Sequence, residues 1–100
     1  MIERHITFNV RPDQADAFER FYRDAYAPAM AQSRGFVATA LLREAGSPNR
    51  YQMAFRFEDE ESAAGWRTSP IHEGLQPALN ALPGVERTAA VDLAAQVICQ

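Results

Sequence analysis

Apolar and polar residues alternate from Ile2 to Val10, and this period of two predicts a first β-strand. One face carries Ile2, Ile6, Phe8 and Val10, and the other carries Glu3, His5, Thr7 and Asn9. The second face is polar without being highly charged, so it suits a lined cavity as well as it suits solvent.

Three further segments predict strands. Residues 36–44 are apolar on both faces, which predicts a strand with a covering layer on each side. Residues 50–58 alternate again, and turn-forming residues at 45–49 predict an antiparallel hairpin between the two segments. Residues 85–98 predict a long last strand, with these side chains on one face: Ala89, Val91, Leu93, Ala95 and Val97.

Between the first two strands the apolar spacing widens to that of an amphipathic helix of about five turns. Its apolar positions are Ala15, Phe18, Phe21, Tyr22, Ala25 and Ala29. Pro28 is expected to kink this helix near its end because the proline ring removes a backbone N–H. Acidic residues at 59–61 predict the start of a second helix, and Ser69-Pro70 predicts a restart, because serine caps helices and proline fits the first helical position.

The element order is therefore strand, helix, strand, strand, helix, strand. A split β-α-β unit of this kind predicts an α+β, ferredoxin-like domain over residues 1–100, with a four-stranded antiparallel sheet and helices on one face. The other face would expose more apolar surface than a monomer usually tolerates. We expect a homodimer in which two such sheets face each other as a dimeric α+β barrel.

Composition narrows the function classes. No apolar run approaches the roughly 20 residues of a membrane span, and no signal-peptide pattern opens the chain, so a soluble, cytoplasmic protein without membrane contact is expected. All ten basic residues are scattered arginines in a chain of net charge -3, which argues against nucleic acid as a partner. The single cysteine, Cys99, cannot form an internal disulfide, and the absence of lysine excludes Schiff-base chemistry.

The stretch from Gly65 to Leu75 carries the candidate chemistry. His72 falls in the first turn of the helix that starts at Pro70, where the partial positive charge of the helix N-terminus favours a neutral, base-competent imidazole. Trp66, the only tryptophan, precedes it by six residues and offers a flat apolar wall with one N–H donor. A neutral histidine beside a planar ring predicts a pocket for a small aromatic substrate.

The chain resembles the antibiotic biosynthesis monooxygenase family over about its whole length. The resemblance lies in the first strand around residues 6–10, the helix around Phe18-Glu19-Arg20-Phe21-Tyr22, the strand from Tyr51 to Phe57, and Trp66 with Ser69-Pro70 and His72. It implies cofactor-independent oxygenation, in which a hydroquinone-type aromatic substrate is deprotonated and its anion reacts directly with O2 to give a quinone.

On this sequence the resemblance makes His72 the candidate base, with His5 as the rival, while Trp66 holds the substrate or donates to it. Strand parity adds the substrate contacts Asn9, Arg56 and Thr7. Neither a cofactor nor a metal is expected. Plain structural interpretations stay open for each residue: core packing for Trp66, a capping role for His72, an interface hydrogen bond for His5, and an ion pair of Arg56 with Asp92 or Glu3.

Two alternatives from other classes stay open: a non-catalytic dimer that binds a small ligand, and another enzyme on the same barrel, such as a lactone isomerase. Haem-degrading relatives need an asparagine on the first strand, the tryptophan, and a histidine farther along the second helix. His5 stands at the first of those positions and Gln76 at the last, so two of the three features are missing.

Overall fold

Four strands form one antiparallel sheet: β1 (Ile2–Val10), β2 (Phe36–Arg43), β3 (Arg50–Phe57) and β4 (Val85–Ala94). In this computed structural model, which describes residues 1–99, their order across the sheet is β2-β3-β1-β4. The central strand β1 pairs with β3 on one side and with β4 on the other. The predicted α+β, ferredoxin-like topology is confirmed.

Two helical connections link the outer strands to the centre. The first is one helical run, composed of a 3-10 turn at Pro12–Gln14, α1 (Ala15–Phe21), a π-helical segment at Tyr22–Tyr26 and α2 (Ala27–Ala31). The second contains α3 (Glu60–Arg67) and α4 (Pro70–Asn80). None of the helices within residues 1–99 is long and apolar enough to cross a membrane.

The core lies between the helices and one face of the sheet, and aromatic side chains dominate it. The largest fully buried side chains are Trp66, Tyr26, Tyr51, Phe8, Phe18, Phe57, Met30, Met53 and Val10. The alternation predicted for β1 and β3 is confirmed. The buried side chains are Ile2, Ile6, Phe8 and Val10 of β1 and Tyr51, Met53, Phe55 and Phe57 of β3, and the odd-numbered residues of β1 and even-numbered residues of β3 face the opposite side of the sheet.

The first helical run differs from the prediction in its buried positions. The buried side chains are Phe18, Tyr22, Tyr26 and Met30, whereas Ala25 and Ala29 are only half-buried. A constant interval of four residues is wider than the 3.6 of an α-helix, and the wider π-helical segment keeps these side chains on one face. That segment ends two residues before Pro28, which cannot supply the backbone N–H that a regular helix would use there.

One strand prediction needs correction and another stays a prediction. β2 is an edge strand, and Val37 and Leu42 are 42% and 52% exposed in a single copy of the chain, so the second predicted covering layer would have to come from outside this chain. β4 ends at Ala94 instead of Ile98, because its partner β1 begins at Ile2, which pairs with Ala94. The predicted Ala95 and Val97 therefore lie beyond the strand.

Candidate active site

The junction between α3 and α4 places the two predicted site residues together. Ser69 caps α4, because its hydroxyl oxygen accepts the backbone N–H of His72 at 3.1 Å, and the same hydroxyl donates to the carbonyl of Trp66 at 2.8 Å. One serine thus fixes both residues. The ring centroids of Trp66 and His72 lie 5.1 Å apart, with the rings edge to face.

A third ring from the other helical run completes the cluster. Tyr26, in the π-helical segment, lies edge to face with Trp66 at 5.7 Å and with His72 at 6.3 Å. Both Tyr26 and Trp66 are 2% exposed. Because edge-to-face packing holds aromatic rings in defined orientations, the three rings form a rigid wall.

This wall borders a cavity between the sheet and the helices. The cavity encloses about 80 Å³ and is lined by Arg4, Ile6, Phe8, Tyr26, Phe55, Ala63, Trp66, Arg67, His72, Gln76, Leu79 and Arg87. The enclosed volume is about half of the roughly 150 Å³ that accommodates benzene in an engineered apolar cavity. The exposed side chains of Arg67 and Arg87 mark its mouth.

Two buried nitrogen atoms in the wall, the indole Nε1 of Trp66 and Nδ1 of His72, form no hydrogen bond of good geometry within the described chain. The phenol of Tyr26 lies near the indole, and the backbone of Arg67 lies near the imidazole. The other ring nitrogen of His72, Nε2, lies 3.2 Å from Nε2 of Gln76. Unsatisfied buried polar atoms are rare and costly in folded proteins, so two of them beside one cavity indicate a site built to engage a ligand.

Electrostatics keeps His72 neutral. Burial of the ring lowers the pKa of His72, and the positive charges of Arg87 and Arg4 act in the same direction, whereas a hydrogen bond with the backbone of Arg67 and the charge of Glu73 act against it. The helix N-terminus, from which the neutral state was predicted, adds to a desolvation effect that the sequence did not show. Burial also raises the pKa of Tyr26, so its phenol stays protonated at neutral pH.

Sequence reasoning missed several residues of this site: Tyr26, Gln76, Arg4 and Arg87. Arg4 had a signal, because it is the charged exception on the apolar face of β1. Arg87 had none, because its side of the sheet depends on a bulge: Phe8 pairs with Arg87 and Thr7 with Ala89, so Thr88 is an extra residue.

The remaining predicted residues lie on the opposite face of the sheet. His5 contacts the carboxylate of Glu3 at 2.5 Å through Nε2, and the guanidinium of Arg56 donates to the same carboxylate. These two hydrogen bonds lower the pKa of Glu3. Thr7 and Asn9 follow on the same face of β1. The structure thus brings His72 and Trp66 together and separates them from His5, Arg56, Thr7 and Asn9.

A model of the antibiotic biosynthesis monooxygenase family matches residues 1–78, and the chain belongs to this family. β4, which lies beyond the matched residues, completes the sheet and carries Arg87. No curated protein sequence gives a significant match.

Solved structures resemble the whole chain. A candidate antibiotic biosynthesis monooxygenase from Deinococcus radiodurans has a TM-score of 0.85 at 15% identity, covering 100% of this chain and 97% of that one. A mutant of SnoaB, a cofactor-independent oxygenase from Streptomyces nogalater, has a TM-score of 0.79 at 25% identity, covering 97% and 94%. HapK from Hahella chejuensis has a TM-score of 0.77 at 17% identity, covering 100% of both chains.

Proposed function

We propose that this protein is a cofactor-independent monooxygenase that oxidises a small aromatic, hydroquinone-type substrate with O2. Family membership and the similarity to SnoaB, a cofactor-independent oxygenase, support this class of reaction. The observation that carries the proposal is the pair of orphaned nitrogens, His72 Nδ1 and Trp66 Nε1, beside one apolar cavity. A substrate with two oxygen atoms on a ring would supply the missing partners.

In the proposed reaction Nδ1 of His72 accepts the proton of a substrate hydroxyl, and the N–H of Trp66 donates to a substrate oxygen. This requires the tautomer with the hydrogen on Nε2, which donates to the side-chain amide of Gln76 when the oxygen of that amide is turned toward it. A neutral imidazole is needed for the first step, and the lowered pKa of His72 supplies it at neutral pH. The electron-rich anion then reacts with O2 directly. One oxygen atom enters the ring product, which becomes a quinone, and the other leaves as water with two hydrogens from the substrate.

The apolar wall has a separate role. Ile6, Phe8 and Phe55 line the inner part of the cavity and are buried, so little water reaches the reacting ring. Exclusion of water strengthens the interactions of the substrate anion with the fixed donors around it. Because the enclosed volume is about half of that which accommodates benzene, a bicyclic substrate would insert the edge of one ring and extend toward the mouth.

The test is O2 uptake with a naphthohydroquinone or an anthrone under air, compared with the uncatalysed rate. We expect catalysed uptake of one O2 per quinone, incorporation of one labelled oxygen atom from isotopic O2, and no hydrogen peroxide. Uptake at the background rate that His72→Ala leaves unchanged would refute the oxygenase.

Two other functions are outcomes of the same experiment. If the protein only binds a ligand, the aromatic compound should quench the fluorescence of Trp66, the single tryptophan, and O2 uptake should not be accelerated. A lactone isomerase would work equally well without O2. Haem degradation would require an iron ligand, and the position expected for it holds Gln76, which contacts His72 instead.

We further propose that residues 1–100 form one domain and that a second copy of the chain covers the open face of the sheet. This face carries an apolar groove of about 300 Å³, lined in part by Ala38, Ala40, Leu42 and Ala54. Farther along it, on β4, Val91 and Leu93 are 48% and 44% exposed. Glu3 and Arg56 already form an ion pair within one chain. The remaining surface of this face is mainly apolar, so a second copy of the chain in a self-complementary contact is the partner that fits.

A further inference from the structure

The charged residues that line the cavity of the proposed function are all positive. Its charged lining residues are Arg4, Arg67 and Arg87, and no acidic residue lines it, although the whole chain has a net charge of -3. Three of ten arginines converge on one small cavity from three different elements: β1, α3 and β4. A hydrophobic pocket for an uncharged ring needs none of them.

Only one of the three is neutralised. A guanidinium N–H of Arg4 donates to Asp92 at 2.8 Å. Neither Arg67 nor Arg87 forms a salt bridge within residues 1–99. Both are exposed at the mouth, where a bound ligand can reach them without a buried charge being created.

The bulge in β4 explains why Arg87 reaches the cavity. With Thr88 as the extra residue, Arg87 lies opposite the buried Phe8 and on the same side of the sheet as the helices. The next residue of β4 on that side, Ala90, carries only a methyl group and lies opposite Ile6. The surface between Arg87 and Arg4 is therefore left open for a ligand.

We propose that the substrate is an aromatic acid, whose ring enters the cavity beside His72 and Trp66 and whose carboxylate lies at the mouth against Arg87 and Arg67. A planar guanidinium matches a carboxylate with two parallel hydrogen bonds, which gives orientation as well as affinity. The enclosed volume agrees with this arrangement, because it holds only the leading edge of a ring and leaves the carboxylate outside. The inference rests on the proposed function for the ring that is oxidised, but the recognition of the acid is a binding property.

The test measures binding without O2, so that no turnover occurs. Two probes form a matched pair: a naphthohydroquinone, and the same naphthohydroquinone carrying a carboxylate beside one hydroxyl. Quenching of Trp66 fluorescence reports binding of each. We expect the acid to bind on the order of tenfold more tightly, a preference that shrinks as salt is raised.

Arg87→Gln removes the charge and keeps a polar, though shorter, side chain. We expect it to abolish most of the preference by weakening the acid alone, whereas a merely structural role would weaken both probes equally. Arg20→Gln is the matched control, because Arg20 is exposed on α1 and does not line the cavity. It should bind both probes as the unmodified protein does.

Equal affinity of the unmodified protein for the two probes would overturn the inference, and so would a preference that survives in both Arg87→Gln and Arg67→Gln. The proposed function fails separately. Acid preference without O2 together with background uptake under air would refute the oxygenase and support the acid site. Catalysed uptake of the uncharged probe with no acid preference would do the reverse.

Discussion

The two histidines lie on opposite faces of one sheet, in contrasting surroundings. His72 is packed against Trp66 and Tyr26, and its Nδ1 forms no hydrogen bond of good geometry within the described chain. The charges of Arg87 and Arg4 oppose its protonation, while that of Glu73 favours it. His5 contacts a carboxylate, that of Glu3, at 2.5 Å, and Arg56 donates to the same carboxylate.

The difference separates two ways of using a polar residue. On the open face hydrogen bonds satisfy the carboxylate of Glu3, so this face offers paired charges on an otherwise apolar surface, as an interface does. On the helix face the ring nitrogens of Trp66 and His72 lack well-formed hydrogen bonds. The energetic cost of such unsatisfied atoms is tolerated where a bound ligand can supply the missing hydrogen bonds. The proposed chemistry is therefore assigned to the helix face.

The largest expected effect tests the contrast between the two histidines directly. His72→Ala should lower kcat/KM for O2 uptake by roughly 10²- to 10⁴-fold, because it removes the proposed general base. His5→Ala, the matched change on the other face, should leave kcat/KM within a few-fold. If His5→Ala costs more than His72→Ala, the assignment of the two faces is wrong.

The ring cluster should dominate stability as well. Trp66→Ala removes a 2% exposed indole from between Tyr26 and His72 and should lower the free energy of unfolding by about 3–5 kcal/mol. Urea denaturation followed by circular dichroism measures this. Ile71→Ala, at a 55% exposed position one turn away, should cost less than about 0.5 kcal/mol. Similar losses for both variants would contradict a rigid core at Trp66.

The open face should respond in association instead. Leu42→Asp places a charge on the apolar groove and should raise the dissociation constant of the proposed dimer on the order of tenfold or more, since a buried unpaired charge is costly. Sedimentation over a range of concentrations gives the constant. Ile71→Asp makes the same chemical change on α4 and should leave association unchanged. A protein that is monomeric at all concentrations would refute the dimer.

The smallest effect is a displacement along the pH axis. In the proposed mechanism the neutral form of His72 is active, so kcat/KM should stay level above the pKa of His72 and fall as the pH drops through it, below the ordinary imidazole value of about 6.5. Arg87→Gln removes a positive charge that lowers this pKa, and the acid limb should move to higher pH. An unchanged limb would mean that another group controls the profile.

Glu3 provides the corresponding test on the open face. Its pKa is lowered in the folded chain by hydrogen bonds from His5 and Arg56. The unfolded chain therefore binds the proton at higher pH than the folded one, so this contribution to stability is present above the unfolded pKa of Glu3. It is lost as the pH falls through the lowered folded value. In Arg56→Gln the folded pKa of Glu3 should be lowered less, so in acid titration of the fold this contribution should be smaller and its loss should be complete at a higher pH.

Much of this architecture follows from the sequence alone. The alternation in residues 2–10 and 50–58 determined which side chains of β1 and β3 enter the core, because successive strand residues face opposite sides. Ser69-Pro70 determined where α4 starts and so placed His72 one turn along it, near Trp66. These are local rules, and local sequence is sufficient to apply them.

Only the tertiary structure decided the rest. Tyr26 joins the cavity because a π-helical segment holds a four-residue spacing on one face, and Arg87 joins it because the bulge at Thr88 reverses the strand's alternation. The pairing of His5 and Arg56 through Glu3 likewise depends on β1 lying beside β3. Each of these depends on how distant segments pack and register against one another, which no short stretch of the chain encodes by itself.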